Sequence, residues 1–158
     1  MRTWLIAFLL LLPACSQAAA PTAAHAAQPA VHPVSGLPVI PLTATPAGGR
    51  PHTFRVEIAR SEPEQARGLM FRTQMGPDEG MIFPYDPPQT VSFWMKNTVI
   101  PLDIVFIGTD HRVLNIATNA VPYSEATLPS AGPVIGVLEL NGGRAKALGI
   151  APGTRVQW

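Results

Sequence analysis

Two carboxylates stand where charge is expensive. Asp103 shares its strand face with Val105 and Ile107 in "PLDIVFIG" (101–108), and Glu139 shares its face with Ile135 and Val137 in "PVIGVLEL" (133–140), because side chains two residues apart on a strand point the same way. A buried carboxylate without a partner carries a heavy desolvation penalty, so each needs a cation, a set of N–H donors or a raised pKa. Arg67, Arg72 and Lys96 are the candidate partners. Two readings stay open. In the structural one, Asp103 accepts backbone N–H groups from the "KNTVIP" loop (96–101) and Glu139 pairs with an arginine. In the chemical one, the two acids line one pocket as proton donor and base, as in a hydrolase or lyase.

The second candidate is aromatic. In "TVSFWMKN" (90–97), Val91, Phe93, Met95 and Asn97 fall on one side of a strand, and Ser92, Trp94, Lys96 and Thr98 on the other. Phe93 and Met95 belong to the core. Trp94 then faces the opposite way. It either packs beneath a helix with its N–H bonded, or forms an apolar binding surface with Lys96 and Asn97 as polar handles. Trp94, Lys96, Asn97, Asp103, Arg72 and Glu139 make up the candidate ligand-binding set. An enzyme needs both carboxylates to converge on one cleft, whereas a binder needs only the aromatic wall.

No GxSxG elbow, phosphate loop or HExxH occurs, and Ser92, Ser124 and Ser130 have no visible base. Met70, Met75, Met81 and Met95 form no M-x-x-M cluster, and His52 and His111 stand apart near turns. The methionines read as core filler, and neither a metal nor a cofactor is expected. The formal charge of the 158 residues is +1, with no basic stripe of the kind nucleic-acid binders carry. The favoured reading is a monomeric, non-enzymatic binding module for a small molecule, glycan or peptide. The alternative is a hydrolase or lyase acting on an envelope polymer through Asp103 and Glu139.

These side chains need a scaffold. Eighteen prolines and thirteen glycines favour short strands and many turns over long helices. Strands are expected at 37–45, confined to an edge by its prolines, and at 52–60, with Phe54, Val56 and Ile58 inward and Glu57 outward. Further strands are expected at 79–85, 90–97, 101–108, 113–121 and 133–140, with a last one closing the chain. A tight loop makes 90–97 and 101–108 a hairpin. Ser61 and Glu64 form a capping box with Pro63 in the first turn, so a helix of two to three turns within 61–72 buries Ala66, Leu69 and Met70. A second short helix in 141–150 ends at Gly149. The expected fold is mainly β (α+β), a small barrel or rolled sheet of about seven to eight short strands with two short helices.

The N-terminus carries an address. "MRTWLIAFLLLLPAC" (1–15) has one Arg, an apolar run and small residues, as a secretory signal does, and is too short for a stable membrane span. Its end resembles a lipoprotein lipobox, with Leu12 three residues before Cys15; Pro13 departs from that pattern. Cleavage after "AHA" (24–26) is the alternative, and gives a soluble periplasmic protein. Cys15 is the candidate lipidation site. Ser16 after it points to the periplasmic side of the outer membrane, with the lipid as membrane anchor. Residues 16–36, rich in Ala and Pro, read as a disordered tether, and 37–158 as the folded domain.

"ARGLMFR", "GMIFPY", "FWMKNT", "PLDIVFI" and "GVLELNGG…ALGIAPG" occur in this order in the DUF192 family, which this chain resembles over roughly residues 54–158. The resemblance implies a compact, mainly β, often exported domain. It implies no particular biochemical function.

Overall fold

The structure, a computed structural model, describes residues 31–158. The signal segment 1–15, Cys15 and most of the expected tether therefore lie outside the described residues. Nine strands and two helices follow in chain order: β1 (Val39–Thr45), β2 (His52–Ile58), α1 (Glu62–Arg67), β3 (Glu79–Gln89), β4 (Ser92–Phe93), β5 (Leu102–Gly108), β6 (Val113–Ala120), β7 (Leu128–Pro129), β8 (Val134–Asn141), α2 (Arg144–Ala147) and β9 (Arg155–Gln157). Seven strands form one sheet in the order β6-β5-β8-β3-β2-β1-β9, and β4 pairs with β7 apart from it. All ladders are antiparallel except β2 with β3. That parallel pair needs a crossover, which α1 and the loop after it supply.

The sheet curls into a half-barrel. Its two ends approach where Val113 N–H donates to the Thr154 carbonyl and Val156 N–H to the His111 carbonyl, both at 2.8 Å. One buried cluster draws on all seven strands, with Leu42, Phe54, Ile82, Val105, Val113, Leu138 and Val156 among its members, and Ala145 of α2 joins it. A second cluster packs on the other face, with Met81, Phe83, Ile104, Phe106 and Val137 from the sheet and Leu69 and Met95 from the loops. Strand β5 is buried along its whole length. Both faces are covered, so "LDIVFIG" reads as a near-continuous apolar run rather than an alternating one.

Several expectations are corrected. Residues 90–97 do not make a hairpin with β5. Only Ser92–Phe93 are strand, they pair with β7, and the partners of β5 are β6 and β8. The chain turns out of strand geometry after Phe93, and Asn97 takes a left-handed φ of 54°. The first helix keeps its capping box but ends at Arg67 and buries none of its residues. Gly68 follows with φ 47°, a conformation that favours glycine. A Cβ there would stand 3.4 Å from the Phe83 ring. Leu69 is buried as expected, but from the turn. Strand β1 is not at the edge, because β9 pairs with its last three residues, Thr43–Thr45; β9 leaves Pro41 uncovered, where a missing N–H breaks no ladder.

Glu57 is buried rather than outward, at 3% exposure. The described residues just before Leu37 also make contacts with the sheet. Residues 32–37 form a turn closed by His32 N–H to Leu37 carbonyl and Gly36 N–H to His32 carbonyl, and the hydroxyl of Ser35 donates to Glu57 Oε2. Residues 32–36, assigned to the tether from sequence, thus sit in a turn held to β2 through Ser35.

Candidate functional site

The two carboxylates do not converge. On β5 and β8 Asp103 stands opposite Leu140, and Ile104 stands opposite Glu139. Opposed residues share a face and successive ones alternate, so Asp103 lies on the Leu140 side of the sheet and Glu139 on the Ile104 side. Asp103 is fully buried. Its Oδ1 accepts the N–H groups of Asn119 (2.7 Å) and Gly143 (3.0 Å), and its Oδ2 accepts that of Ala145 (2.8 Å). It ties β6 and the start of α2 to β5. The donors come from these segments and not from the "KNTVIP" loop. Nor does Asp103 belong with Trp94, Lys96 and Asn97.

Arg72 is also engaged elsewhere. Its guanidinium binds Glu57 through two parallel bonds of 2.8 and 3.0 Å, and His32 Nε2 lies 3.3 Å from Nη1. Neither Asp103 nor Glu139 is its partner. Asn97 sits in the turn beyond Met95, where its carbonyl accepts the Phe71 N–H and its amide lies 3.8 Å from the Met70 sulfur. Phe71, Asn97 and Tyr123 all have left-handed φ, of 63°, 54° and 62°. The Phe71 N–H bonds to Asn97 and the Tyr123 N–H to Thr98, so three strained residues meet at one turn. Strain of this kind persists only where surrounding structure imposes it, and it concentrates at functional sites.

What does come together is Glu139 and Trp94. They line one cleft of about 340 Å³ between the 65–70 segment and β4, with Phe83, Tyr85, Phe93 and Leu69. Trp94 is 46% exposed, so it is not sealed beneath the helix. Lys96 Nζ lies 5.0 Å from the Trp94 ring centroid, a cation–π distance. Phe83 and Phe93 meet edge to face at 5.2 Å, which stiffens the apolar wall. Glu139 is only 5% exposed, and its buried Oε2 has no hydrogen-bond partner among the described residues. Burial pushes its carboxyl up to about 8, which favours the protonated form at neutral pH. Burial, and secondarily Glu139 itself, pushes the Tyr85 phenol up to about 12.

Over this geometry the comparisons decide the family. The sequence model of DUF192, described as an uncharacterized ACR, matches residues 43–158. The chain belongs to the DUF192 family. Among solved structures, a DUF192-like neighbour is a protein of unknown function from Novosphingobium aromaticivorans, 60% identical, covering 89% of this chain and 100% of its own, at a TM-score of 0.80. Another, from Sinorhizobium meliloti and described provisionally as a transcription regulator, is 45% identical, covers 74% of this chain and 91% of its own, and has a TM-score of 0.72. No curated protein matches.

Within this DUF192 domain the residues missed from sequence are Glu57 and Tyr85. Glu57 sits between Val56 and Ile58 on an alternating strand and gave no inward signal. Tyr85 was accessible to reasoning, since it lies two residues after Phe83 and so tends to the same face. Among the described residues no group of three His, Cys, Asp or Glu could hold a metal. His52 instead bonds Asp78 at 2.7 Å.

Proposed function

We propose that this chain is a binding module, and that its site is the cleft between Trp94 and Glu139. One observation carries the reading: an acid at 5% exposure with an unpartnered oxygen lines an aromatic cleft that solvent reaches through a half-exposed tryptophan. Burying an unsatisfied polar atom costs roughly 1–3 kcal/mol. That penalty is out of place in a scaffold whose other buried acids, Glu57 and Asp103, are fully bonded. A ligand that bonds Glu139 removes the penalty, and stability sacrificed at one position is a mark of functional sites.

The two-carboxylate hydrolase or lyase is less well supported, since its acids point to opposite faces. A role in transcription like that named for the Sinorhizobium relative, if exerted through nucleic acid, finds no help in the charge. Eleven basic residues balance ten acidic ones, and Arg55, Arg72 and Arg144 are paired with acids. The module is placed on the periplasmic side of the envelope, held by a lipid on Cys15. That placement rests on the leader sequence alone.

The test is a thermal-shift screen of the purified protein against a broad set of small envelope metabolites. Hits should raise the melting midpoint of the wild type and fail to do so in Trp94→Ala. A hit that Trp94→Ala and Glu139→Gln both leave unchanged would place binding elsewhere.

A further inference from the structure

We infer that the ligand is an uncharged, hydroxyl-rich ring, a saccharide unit, which stacks on the aromatic wall and hydrogen-bonds to the buried, unpartnered carboxyl of Glu139. This rests on the cleft being a binding site and specifies what it binds.

Glu139 shares the cleft lining with three hydroxyl-bearing residues, Tyr85, Ser92 and Thr98. The Thr98 hydroxyl donates to the Lys96 carbonyl at 3.2 Å, which leaves its oxygen free to accept. Gln65 adds no free donor from its amide nitrogen, which donates to the carbonyls of Ala59 and Pro84 at 3.2 and 3.1 Å. A neutral carboxylic acid both donates and accepts, as a hydroxyl does. Apolar surroundings can keep a carboxylic acid neutral so that it serves as donor. The floor of the cleft therefore presents neutral O–H groups beside an aromatic surface. That pairing matches a sugar, which has an apolar C–H face and an edge of hydroxyls.

The charges argue against a cationic ligand. Facing Glu139 across the ladders are Ile104 of β5 and Met81 of β3, both apolar. Of the titratable or charged side chains, Tyr85 of β3 and Arg67 at the end of α1 line the cleft with it, and Lys96 lies against the Trp94 ring. With Glu139 and Tyr85 neutral, every full charge at the cleft is positive. An organic cation would meet Arg67 and Lys96 and no ionised acid. An anion would find a single cation among the lining residues, Arg67, and the benzoate control below tests it directly. An uncharged ligand needs no counter-charge, and the hydroxyl-bearing residues with the carboxyl of Glu139 suit it.

The experiment is isothermal titration calorimetry of the purified protein with maltotriose, cellotriose and chitotriose, and with choline and benzoate as cationic and anionic controls. It is run at pH 6.5 and pH 9.5. At least one trisaccharide should bind at pH 6.5. At pH 9.5 its affinity should drop about thirtyfold, because a carboxyl titrating near pH 8 is then about thirty parts ionised to one neutral. Glu139→Gln keeps a donor and an acceptor without a proton to lose, so it should bind at both pH values alike. Trp94→Ala should bind at neither. Choline or benzoate binding in place of the sugars, in a Trp94-dependent way, overturns the saccharide and leaves the cleft as a binding site. Sugar binding that is equal at both pH values in the wild type overturns the donor role of Glu139. Absence of heat from all three sugars overturns the inference, while the metabolite screen above judges the binding reading separately.

Discussion

Arg72 and Glu57 form a forked ion pair inside the protein. The arginine lies on the loop after α1 and the glutamate on β2, fifteen residues apart, with side chains 8% and 3% exposed. Two parallel N–H···O bonds satisfy both carboxylate oxygens, the geometry in which guanidinium–carboxylate pairs are strongest. His32 and Ser35 close over the pair from the N-terminal side. One interaction thus fastens the crossover loop to the sheet and the turn at 32–37 to both.

Removing one partner of that pair should strand the other as a buried charge, at a penalty of roughly 3–5 kcal/mol. Arg72→Met and Glu57→Gln should each lose stability of about that size in urea unfolding. The double variant Arg72→Met with Glu57→Leu should recover much of it. Single losses below 1 kcal/mol would show that the pair is not the fastening described.

The same contacts hold residues 32–37 against the domain. Limited proteolysis should leave a stable fragment whose first residue is Val31 or earlier, with no cut between His32 and Leu37. Mass spectrometry of the fragment decides this. Cleavage inside that turn in the wild type would mean the turn is not docked in solution.

Asp103→Asn should be costly for a different reason. The carboxylate receives three N–H groups on two oxygens. An amide keeps one acceptor and turns an NH₂ toward a donor. Bonds to a charged acceptor contribute about 1.5–3 kcal/mol each, so a loss of roughly 2–4 kcal/mol is expected. Faster hydrogen exchange at the amides of Gly143 and Ala145 should accompany it. An unchanged thermal midpoint would contradict the role.

Glu139 should make the protein less stable as pH rises. Its folded pKa, near 8, lies above the ordinary 4.5. Between these values the folded state holds a proton that the unfolded state has lost, so unfolding stability declines across that window and levels off above it. The full decline is on the order of 3–5 kcal/mol. Glu139→Gln has no such proton, so it should match the wild type near pH 4 and exceed its stability above pH 8. Parallel pH profiles of the two proteins would sink the prediction.

The anchor is tested in cells. Cys15→Ser should move the protein from the membrane fraction to the soluble periplasm, and mass spectrometry of the wild type should show the added lipid. A soluble, unlipidated wild type would assign the leader to ordinary cleavage.

Much of this molecule was legible in one dimension because it depends on local rules. Alternation located β2, and apolar runs located β3, β5 and β8. The capping box at Ser61 and Glu64 started α1, and Gly149 closed the second helical turn. The motif order from "ARGLMFR" to "ALGIAPG" identified the family. Sequence also marked Asp103, Glu139, Arg72 and Trp94 as side chains that needed explanation, since charge among apolar residues and a tryptophan out of phase with its strand stand out without a structure. Which of them belong together was decided only by tertiary structure. A strand fixes the side to which a residue points, but the neighbour across the ladder depends on register, and register depends on which strands pair. Because β5 pairs with β8 and not with residues 90–97, Asp103 and Glu139 fall on opposite faces. Because α1 stops at Arg67, the chain turns there and brings Arg72 to Glu57. The cleft between Trp94 and Glu139 joins residues forty-five positions apart, a proximity that only the folded sheet creates.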